Sequence, residues 1–368
     1  MATITPNRSH GIINRETNGM FTYHGWPSVC IDGDGVLYAV CSGGRCLHVC
    51  PFGKTYLWIS RDEGKTWSAP IVVNDTPLDD RDAGILWLGE KKVLVTWFIH
   101  PAHVYINDYT DWMQRESSAE EAPVVLGTLA TWKQYADQPQ LGGSFIRRSD
   151  DGGLTWSDII RIPVSSPHGP CRLKDGRLLY VGKEMYSDEE KPGAVAVYES
   201  TDTGYTWTRI GELDIPEGFV PGNFHEPHAI ELDNGEIFCT IRVEGHAEAQ
   251  FTVFTSRSTD GGKTWSAMVP TGFVGSPPHL LQHSSGALIC VFGRRCAPFG
   301  QRAAVSYDRG ETWTDEYVLR DDAPDGDLGY PCSVELPSGE IFTVYYQKYQ
   351  PDEKPSLLFT RWSLEKQA

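Results

Sequence analysis

Six short segments of the chain concentrate the side chains that could bind a ligand or do chemistry. They are rich in His, Pro, aromatic and charged residues, and each lies at the start of an apolar run. Burying such groups together is costly unless they bind something, so these segments are the first candidates for a functional site. They comprise residues 23–27, 79–82, 168–170, 223–228, 276–279 and 329–331.

Two groupings invite a metal-binding interpretation. Cys46, His48 and Cys50 alternate along one segment, and His225 and His228 lie three residues apart. Zinc sites usually space their ligands differently. We therefore expect core thiols and histidines that hydrogen-bond a ligand, with no metal and no cofactor.

The elements that must position these segments are revealed by an internal repeat. Five copies of Ser-x-Asp-x-Gly-x-Thr-Trp begin at Ser60, Ser149, Ser200, Ser258 and Ser306. In such an octamer the Asp accepts hydrogen bonds from its own turn and the Gly permits a positive φ. The repeat predicts self-contained hairpin tips, which we expect to be structural rather than catalytic.

A second repeat, two apolar strands joined by a turn containing Gly, lies out of phase with the octamers. It occurs six times, around residues 34–35, 89–90, 175–176, 234–235, 285–286 and 338–339. The sixth unit lacks an octamer, and residues 11–15 can supply its missing strand and close a ring. The sequence thus predicts an all-β six-bladed β-propeller, with residues 1–368 forming one domain.

The first two octamers are farther apart than the others. The extra residues lie at about 100–143, within blade two, and include helix-compatible stretches such as 110–121. This insertion is either a surface feature or a lid or subunit contact. In the latter case we expect a homo-oligomer formed through it.

Five octamers on six blades resemble the sialidase (neuraminidase) superfamily with BNR/Asp-box repeats, over the whole chain. Glu226 and Arg242 lie in a stretch similar to the segment with the family's catalytic Glu and second carboxylate-binding arginine. Tyr330, in Gly-Tyr-Pro-Cys, resembles its nucleophilic Tyr. Arg302 is similar in placement to the third arginine, although Arg294 and Arg295 compete with it.

The resemblance implies an exo-glycoside hydrolase in which Tyr330 is the nucleophile, Glu226 its base, and Arg242 with Arg302 the carboxylate clamp. The chemistry of these residue types agrees. A Tyr hydroxyl, with a pKa near 10, needs a base to become a nucleophile. A neutral nucleophile is not repelled by an anionic sugar, and arginine binds a carboxylate in a bidentate manner.

The first blade departs from the family's pattern. His24 or Gly25 stands where the first carboxylate-binding arginine is expected. In a propeller the inner strands start at the mouth of the central channel. Arg45 resembles the arginine after the second strand and is expected to support this mouth, but no carboxylate follows it as general acid. His24, His48 or Asp82 can take that catalytic place, which matters for the rate.

The substrate is therefore expected to be a terminal anionic sugar, either sialic acid or a related acid such as a uronic acid that two arginines fit. His24, His228 and His279 are further expected contacts with the sugar. Two alternatives remain open. One is a non-catalytic Asp-box propeller that binds a glycan, and the other is a polysaccharide lyase or other glycosidase using axial histidines.

Composition excludes several partners. The chain has 32 Lys+Arg against 49 Asp+Glu, a formal net charge of -17, which argues against nucleic acid and anionic membrane surfaces. It has no apolar run long enough for a membrane span. The first residues lack a signal-peptide pattern, which predicts a cytoplasmic protein with reduced cysteines unless a signal peptide has been removed.

Overall fold

The computed structural model describes residues 1–186 and 193–365, which form six sheets. Within the described residues no helix is both long and apolar enough to cross a membrane. Two strands precede the blades: β1 (Ala2–Ile4) and β2 (Arg8–Asn14). Blades one to three contain, in order, β3 (Tyr23–Ile31), β4 (Leu37–Arg45), β5 (Lys54–Ser60), β6 (Ile71–Asn74); β7 (Asp80–Gly89), β8 (Lys92–Ile99), β9 (Gly143–Ser149), β10 (Ile160–Ile162); β11 (Cys171–Arg172), β12 (Leu178–Lys183), β13 (Val195–Ser200) and β14 (Thr208–Glu212).

Blades four to six follow the same order from the inner to the outer strand. They contain β15 (Phe224–Glu231), β16 (Ile237–Val243), β17 (Thr252–Ser258), β18 (Val269–Pro270); β19 (Pro278–Gln282), β20 (Leu288–Arg294), β21 (Gly300–Ser306), β22 (Asp315–Arg320); β23 (Gly329–Glu335), β24 (Ile341–Lys348) and β25 (Pro355–Trp362). The predicted six-bladed β-propeller is confirmed.

The ring closes through the N-terminal segment, as the sequence predicts. β2 pairs antiparallel with β25, with Arg8 opposite Trp362 and Gly11 opposite Phe359, and forms the outer strand of blade six. β1 was not predicted, and it adds a parallel fifth strand to blade five beside β22. The segment thereby joins two neighbouring blades and covers two sheet edges.

The octamers form the tips that connect third and outer strands. In the first, Asp62 accepts hydrogen bonds from the N–H of Thr66 at 2.9 Å and from its hydroxyl at 2.6 Å, while Ser60 Oγ accepts one from the Gly64 N–H at 2.8 Å. The other four octamers repeat this pattern. Every partner lies inside its own octamer, so the tips are self-contained.

The hydrophobic core lies between adjacent blades. Val40 and Leu57 of blade one pack against Ile85 and Val95 of blade two, and similar clusters fill other interfaces of the ring. All nine cysteines lie in the described residues and are free, most of them buried. Packing between the blades leaves the starts of the inner strands to converge around the axis.

The insertion in blade two is helical and packs on the rim of blade one. Tyr105 and Leu129 share a buried cluster with Cys46 and Cys50, and the Tyr105 hydroxyl donates to Asp79. The insertion is therefore part of the mouth, and its role as a subunit contact stays a prediction. Its helices are α1 (Ala102–Val104), a π-helical turn (Tyr105–Tyr109), α2 (Thr110–Glu116) and α3 (Glu121–Trp132), and 3₁₀ turns cover Lys133–Tyr135, Pro139–Leu141 and, elsewhere, Pro221–Asn223.

Candidate functional site

Four inner strands contain, within their first four positions, a residue in the left-handed region. These are Trp26, Asp82, Glu226 and Tyr330, with φ of 54°, 52°, 54° and 50°. At each, the pairing with the next strand shifts register. Positive φ is unfavourable for non-glycine residues, and such strain concentrates at functional sites. In each of these four blades the bulge coincides with a side chain that lines the mouth.

A cavity of about 340 Å³ opens at these strand starts. Its wall includes Trp26, Asp82, Glu226 and Tyr330, together with Tyr109 from the insertion. Side chains from four blades thus meet in one concave site, which is where propellers and other folds usually bind small ligands.

Tyr330, Glu226 and Arg242 are brought together as the sequence predicts. The Tyr330 hydroxyl donates a hydrogen bond to Glu226 Oε1. Arg242 Nη1 lies 2.8 Å from Glu226 Oε2 and 3.4 Å from the Tyr330 hydroxyl, while Nη2 donates to Glu244 at 2.6 Å. The arrangement aims an acceptor at the tyrosine proton.

The electrostatics of this pair suit proton transfer. Burial alone would raise the pKa of Glu226, but the charge of Arg242 and the hydrogen bond from Tyr330 hold the pKa below its usual value. Burial, followed by the negative charge of Glu226, raises the pKa of Tyr330 well above 10. The resting state is therefore a neutral tyrosine beside an ionised carboxylate.

Arg302 does not lie with Arg242. It is in the third strand of blade five, where Nη1 donates to the carbonyls of Gln301, at 3.0 Å, and Arg320, and Nε lies 3.6 Å from Glu316. Among the described contacts, none joins it to Tyr330. The spacing between Arg302 and the fifth octamer did not indicate that this side chain bonds to atoms of its own blade.

Arg295 takes the place at the site that Arg302 was expected to fill. Its guanidinium carbon lies 5.6 Å from the Tyr330 ring centroid, and it shares Phe251 with Arg242 at 5.9 and 5.3 Å. Within the described residues it forms no ion pair, and its polar contact is Tyr346 at 3.4 Å. Arg295 directly follows the second strand of its blade, and Arg242 lies near the end of its own, which is the signal that identifies it.

Arg45 supports the mouth from behind. It is fully buried, pairs with Asp79, and lies 4.8 Å from the Trp26 ring centroid. Arg81, which the sequence placed only within a charged segment, lies 4.6 Å from the same ring and lines the cavity. The two guanidiniums therefore hold Trp26 in position through cation–π contact.

Asp82 is the carboxylate of the cavity without an ion pair among the described residues. It is 6% exposed, and its Oδ1 is buried with no hydrogen-bond partner in the described residues. Burial, reinforced by the negative charge of Glu226 and opposed by Arg81, raises its pKa to about 7. Near neutral pH a large share of Asp82 is protonated and is able to donate a proton.

His24 does not reach the cavity. Tyr23 packs with Trp26 and Tyr330, so the next side chain along the strand points to the opposite face. The His24 ring lies 5.9 Å from Trp58 and borders a separate cavity of about 570 Å³ beside blade one and the insertion. The structure therefore does not support the expected contact between His24 and the substrate.

His228 and His279 also lie outside the cavity wall, in a cluster with His168 that joins blades three, four and five. The rings of His228 and His279 stack at 4.1 Å. His228 Nδ1 accepts a hydrogen bond from the Leu280 N–H at 2.9 Å, and His279 Nδ1 one from the Ser333 N–H at 3.3 Å. Both rings are therefore held by hydrogen bonds between neighbouring blades, and neither lines the cavity.

Within the described residues, no group of three His, Cys, Asp or Glu side chains is arranged to hold a metal ion. Cys46 and Cys50 are buried free thiols in the core cluster under the insertion. His48, between them, instead lines the cavity.

Solved structures share the fold. The chain matches a Dyadobacter fermentans protein of unknown function with a TM-score of 0.74, at 22% identity over 98% of this chain and 100% of that one. It matches the intramolecular trans-sialidase from Ruminococcus gnavus with a TM-score of 0.67, at 17% identity over 96% and 97%. At these identities the likeness establishes the fold alone.

Two curated relatives extend the comparison. The anhydrosialidase of Macrobdella decora is 26% identical over 257 residues, 60% of this chain and 32% of that protein. A xyloglucanase of Acetivibrio thermocellus is 28% identical over 206 residues, 49% of this chain and 22% of that protein. The chain therefore spans about a third or less of the length of these relatives.

Family models match the chain directly. The BNR/Asp-box repeat matches residues 58–69, which contain the first octamer, and the BNR repeat-like domain matches residues 172–365. The second match covers more than half of a chain that already has six blades and five octamers. The chain belongs to the BNR repeat-like family of the sialidase superfamily.

Proposed function

We propose that the protein is a retaining exo-glycoside hydrolase that removes a terminal anionic sugar, with Tyr330 as nucleophile. The observation that carries the proposal is the hydrogen bond from the Tyr330 hydroxyl to the ionised Glu226 beside Arg242. Arg295, which has no ion pair among the described residues, lies next to the same tyrosine. The protein's relatives, an anhydrosialidase and a xyloglucanase by name, support an enzyme that acts on glycosides.

In the first step the Tyr330 oxygen attacks the anomeric carbon and its proton passes to Glu226. Asp82 gives its proton to the departing glycosidic oxygen, so the bond to the leaving group breaks as the glycosyl–tyrosine bond forms. In the second step Asp82 takes a proton from water, which attacks the anomeric carbon. Tyr330 leaves and recovers its proton from Glu226, and the enzyme returns to its starting state.

The preference for an anion rests on two arginines that differ in the ion pairs they already form. Arg242 is already bonded to Glu226 and Glu244, whereas Arg295 forms no ion pair in the described part of the chain. A buried cation without a counter-ion favours an incoming carboxylate, which an arginine fork binds through two hydrogen bonds. Both arginines adjoin Tyr330, which supports a sugar carboxylate bound next to the anomeric carbon.

The proposal is tested with aryl glycosides of sialic and uronic acids, using the wild type and Tyr330→Phe. Loss of the nucleophile should lower kcat on the best substrate by on the order of 10³-fold or more. A fluorinated analogue of that substrate should label Tyr330, detected by peptide mass spectrometry. Tyr317→Phe, a buried tyrosine in β22, is the matched control and should retain activity.

Each alternative outcome has its own meaning. Normal turnover by Tyr330→Phe rules out the nucleophile. No turnover by either protein, together with binding on a glycan array, identifies a glycan-binding propeller. An unsaturated product absorbing in the ultraviolet identifies a lyase.

A further inference from the structure

Asp327 organises a hydrogen-bond network at the edge of the candidate site. Its Oδ1 accepts hydrogen bonds from the Tyr23 hydroxyl at 2.9 Å, the Tyr346 hydroxyl at 3.2 Å and His48 Nδ1 at 2.9 Å. Tyr346 in turn contacts Arg295 at 3.4 Å. The network therefore links blade one to blade six beside the arginines of the proposed clamp.

The network fixes which nitrogen of His48 carries the proton. Burial would raise the pKa of Asp327, but its bond with His48 and its other hydrogen bonds hold the pKa below the usual value, so the carboxylate has no proton to give. The Tyr23 hydroxyl lies 3.0 Å from the same His48 nitrogen, but its single proton is donated to Asp327. The proton in the bond between His48 and Asp327 therefore lies on Nδ1, and Tyr23 accepts at most a second share of it. A neutral imidazole with Nδ1 protonated has its lone pair on Nε2.

The free edge of His48 faces the cavity. Its Nδ1 is occupied, its side chain is 35% exposed, and it lines the cavity with Trp26. The ring stands edge-on to Trp26 at a centroid distance of 4.9 Å, and Arg81 Nη1 donates to the His48 carbonyl at 3.3 Å. Within the described residues no group is bonded to Nε2. The ring and its backbone are thus held in the cavity wall, and Nε2 is the ring nitrogen left available to a ligand.

We propose that His48 Nε2 accepts a hydrogen bond from a hydroxyl group of the bound sugar, and that Asp327 is the positioning residue that maintains this tautomer. The inference deepens the proposed function and rests on it for the sugar. Blade one then presents an acceptor, whereas blades four and five present the donors Arg242 and Arg295.

This polarity selects both the orientation and the class of the substrate. A lone pair repels a carboxylate but accepts from a hydroxyl. The sugar carboxylate therefore lies on the arginine side and a free hydroxyl on the side of blade one. Sugar acids that lack this hydroxyl, or that carry it as an ether, bind less well.

The first experiment needs no turnover. ¹⁵N-detected correlation spectra of histidine-labelled protein, with the His48 signal assigned from its loss in His48→Phe, report the tautomer at neutral pH. The Nδ1–H form is expected in the wild type, and a mixture is expected in Asp327→Asn because an amide both donates and accepts. An Nε2–H form or an imidazolium in the wild type overturns the proposal, whatever the enzyme hydrolyses.

The second experiment compares the best aryl glycoside with each of its monodeoxy and mono-O-methyl forms. One position should lower kcat/KM of the wild type by about 3- to 10-fold, the value of one neutral hydrogen bond, and His48→Phe should not discriminate there. His10→Phe, an exposed histidine in β2, is the ring-matched control and should discriminate like the wild type. Equal discrimination by His48→Phe and the wild type at every position overturns the proposal. If nothing is hydrolysed, equilibrium binding of N-acetylneuraminate and glucuronate replaces the kinetic readout.

Discussion

The aspartates of the octamers and the aspartate at the mouth of blade two have opposite acidities. In the octamers, hydrogen bonds from the Thr of the same turn lower the pKa of Asp62, Asp260 and Asp308 to about 2. At the mouth, burial raises the pKa of Asp82 to about 7. One residue type therefore has two roles, and the difference lies in whether its own turn supplies hydrogen-bond donors.

The comparison separates the aspartates that stabilise the propeller from the aspartate that lies in the candidate site. Each octamer satisfies its carboxylate within eight residues, so the hydrogen bonding of that carboxylate does not depend on the neighbouring blades. Asp82 has a strained backbone and an oxygen with no hydrogen-bond partner in the described part of the chain, and it is held there by the surrounding blades. Unsatisfied groups and positive φ at the same residue mark a place where stability has been given up for function.

The largest expected effect is on catalysis. Asp82→Asn removes the proton donor and should lower kcat for substrates with poor leaving groups by about 10²- to 10⁴-fold. Glycosides whose leaving group needs no proton should lose far less. In the wild type, kcat/KM should fall as pH rises through about 7, because Asp82 in the free enzyme then loses the proton that it donates.

Asp308→Asn is the matched change in an octamer and should leave kcat and the pH profile of kcat/KM unaltered. The assignment of Asp82 fails if its variant slows good and poor leaving groups equally, or if the basic limb of the profile remains. Such a result would identify a residue that merely shapes the cavity.

A second comparison sets Arg295 against Arg302. Arg295→Ala should raise KM for an anionic substrate by about 10- to 100-fold, the range for charged hydrogen bonds, and Arg295→Lys should recover part of the loss. Arg302→Lys should leave KM within about 2-fold, because Arg302 bonds to backbone carbonyls of its own blade. Steady-state kinetics with paired anionic and neutral glycosides measures both, and an equal response of the two arginines would contradict a clamp at Arg295.

The architecture was predictable because its signals are local. An octamer and a Gly-containing hairpin each specify their own turn, and counting them gives six blades and one missing strand. β1 could not be predicted in this way, because its partner β22 lies more than 300 residues away and joins it only when the ring closes. In the insertion, α2 lies within the stretch that was expected to be helical, whereas α3 begins at the last residue of that stretch and was not named in advance.

The site was predictable only where motif and geometry coincide. Tyr330, Glu226 and Arg242 meet because each lies near the same end of its strand. The placement predicted for Arg302 was not found, because spacing in the sequence does not tell which neighbour a long side chain contacts. The hydrogen bond between His48 and Asp327 joins residues 279 positions apart, so no local sequence pattern predicts it.

Stability should respond to pH in opposite directions at the two kinds of aspartate. The native pKa of Asp82 exceeds its unfolded value, so its ionisation destabilises the fold as pH rises from about 4 to 7. Asp82→Asn should therefore be more stable than the wild type above pH 7, on the order of 2–4 kcal/mol, with the gain vanishing near pH 4. Denaturant unfolding at several pH values measures it.

Asp308→Asn should show the reverse. Its native pKa is depressed to about 2, so it stabilises the fold above the unfolded pKa of about 4, and the variant should lose stability there. The loss should shrink as pH falls toward 2. If both variants shift in the same direction at pH 8, then burial and local hydrogen bonding do not account for the two acidities.

The smallest expected effect tests whether an octamer is self-contained. Ser306 Oγ accepts a hydrogen bond from the Gly310 N–H at 2.7 Å and is itself buried. Ser306→Ala leaves that N–H without its partner, which should cost about 1–2 kcal/mol of unfolding free energy. Because every bond broken lies inside one hairpin tip, kcat and KM should stay at wild-type values. A change in KM larger than that of Arg302→Lys would show that the tips communicate with the mouth, and the division between ring and site would then have to be abandoned.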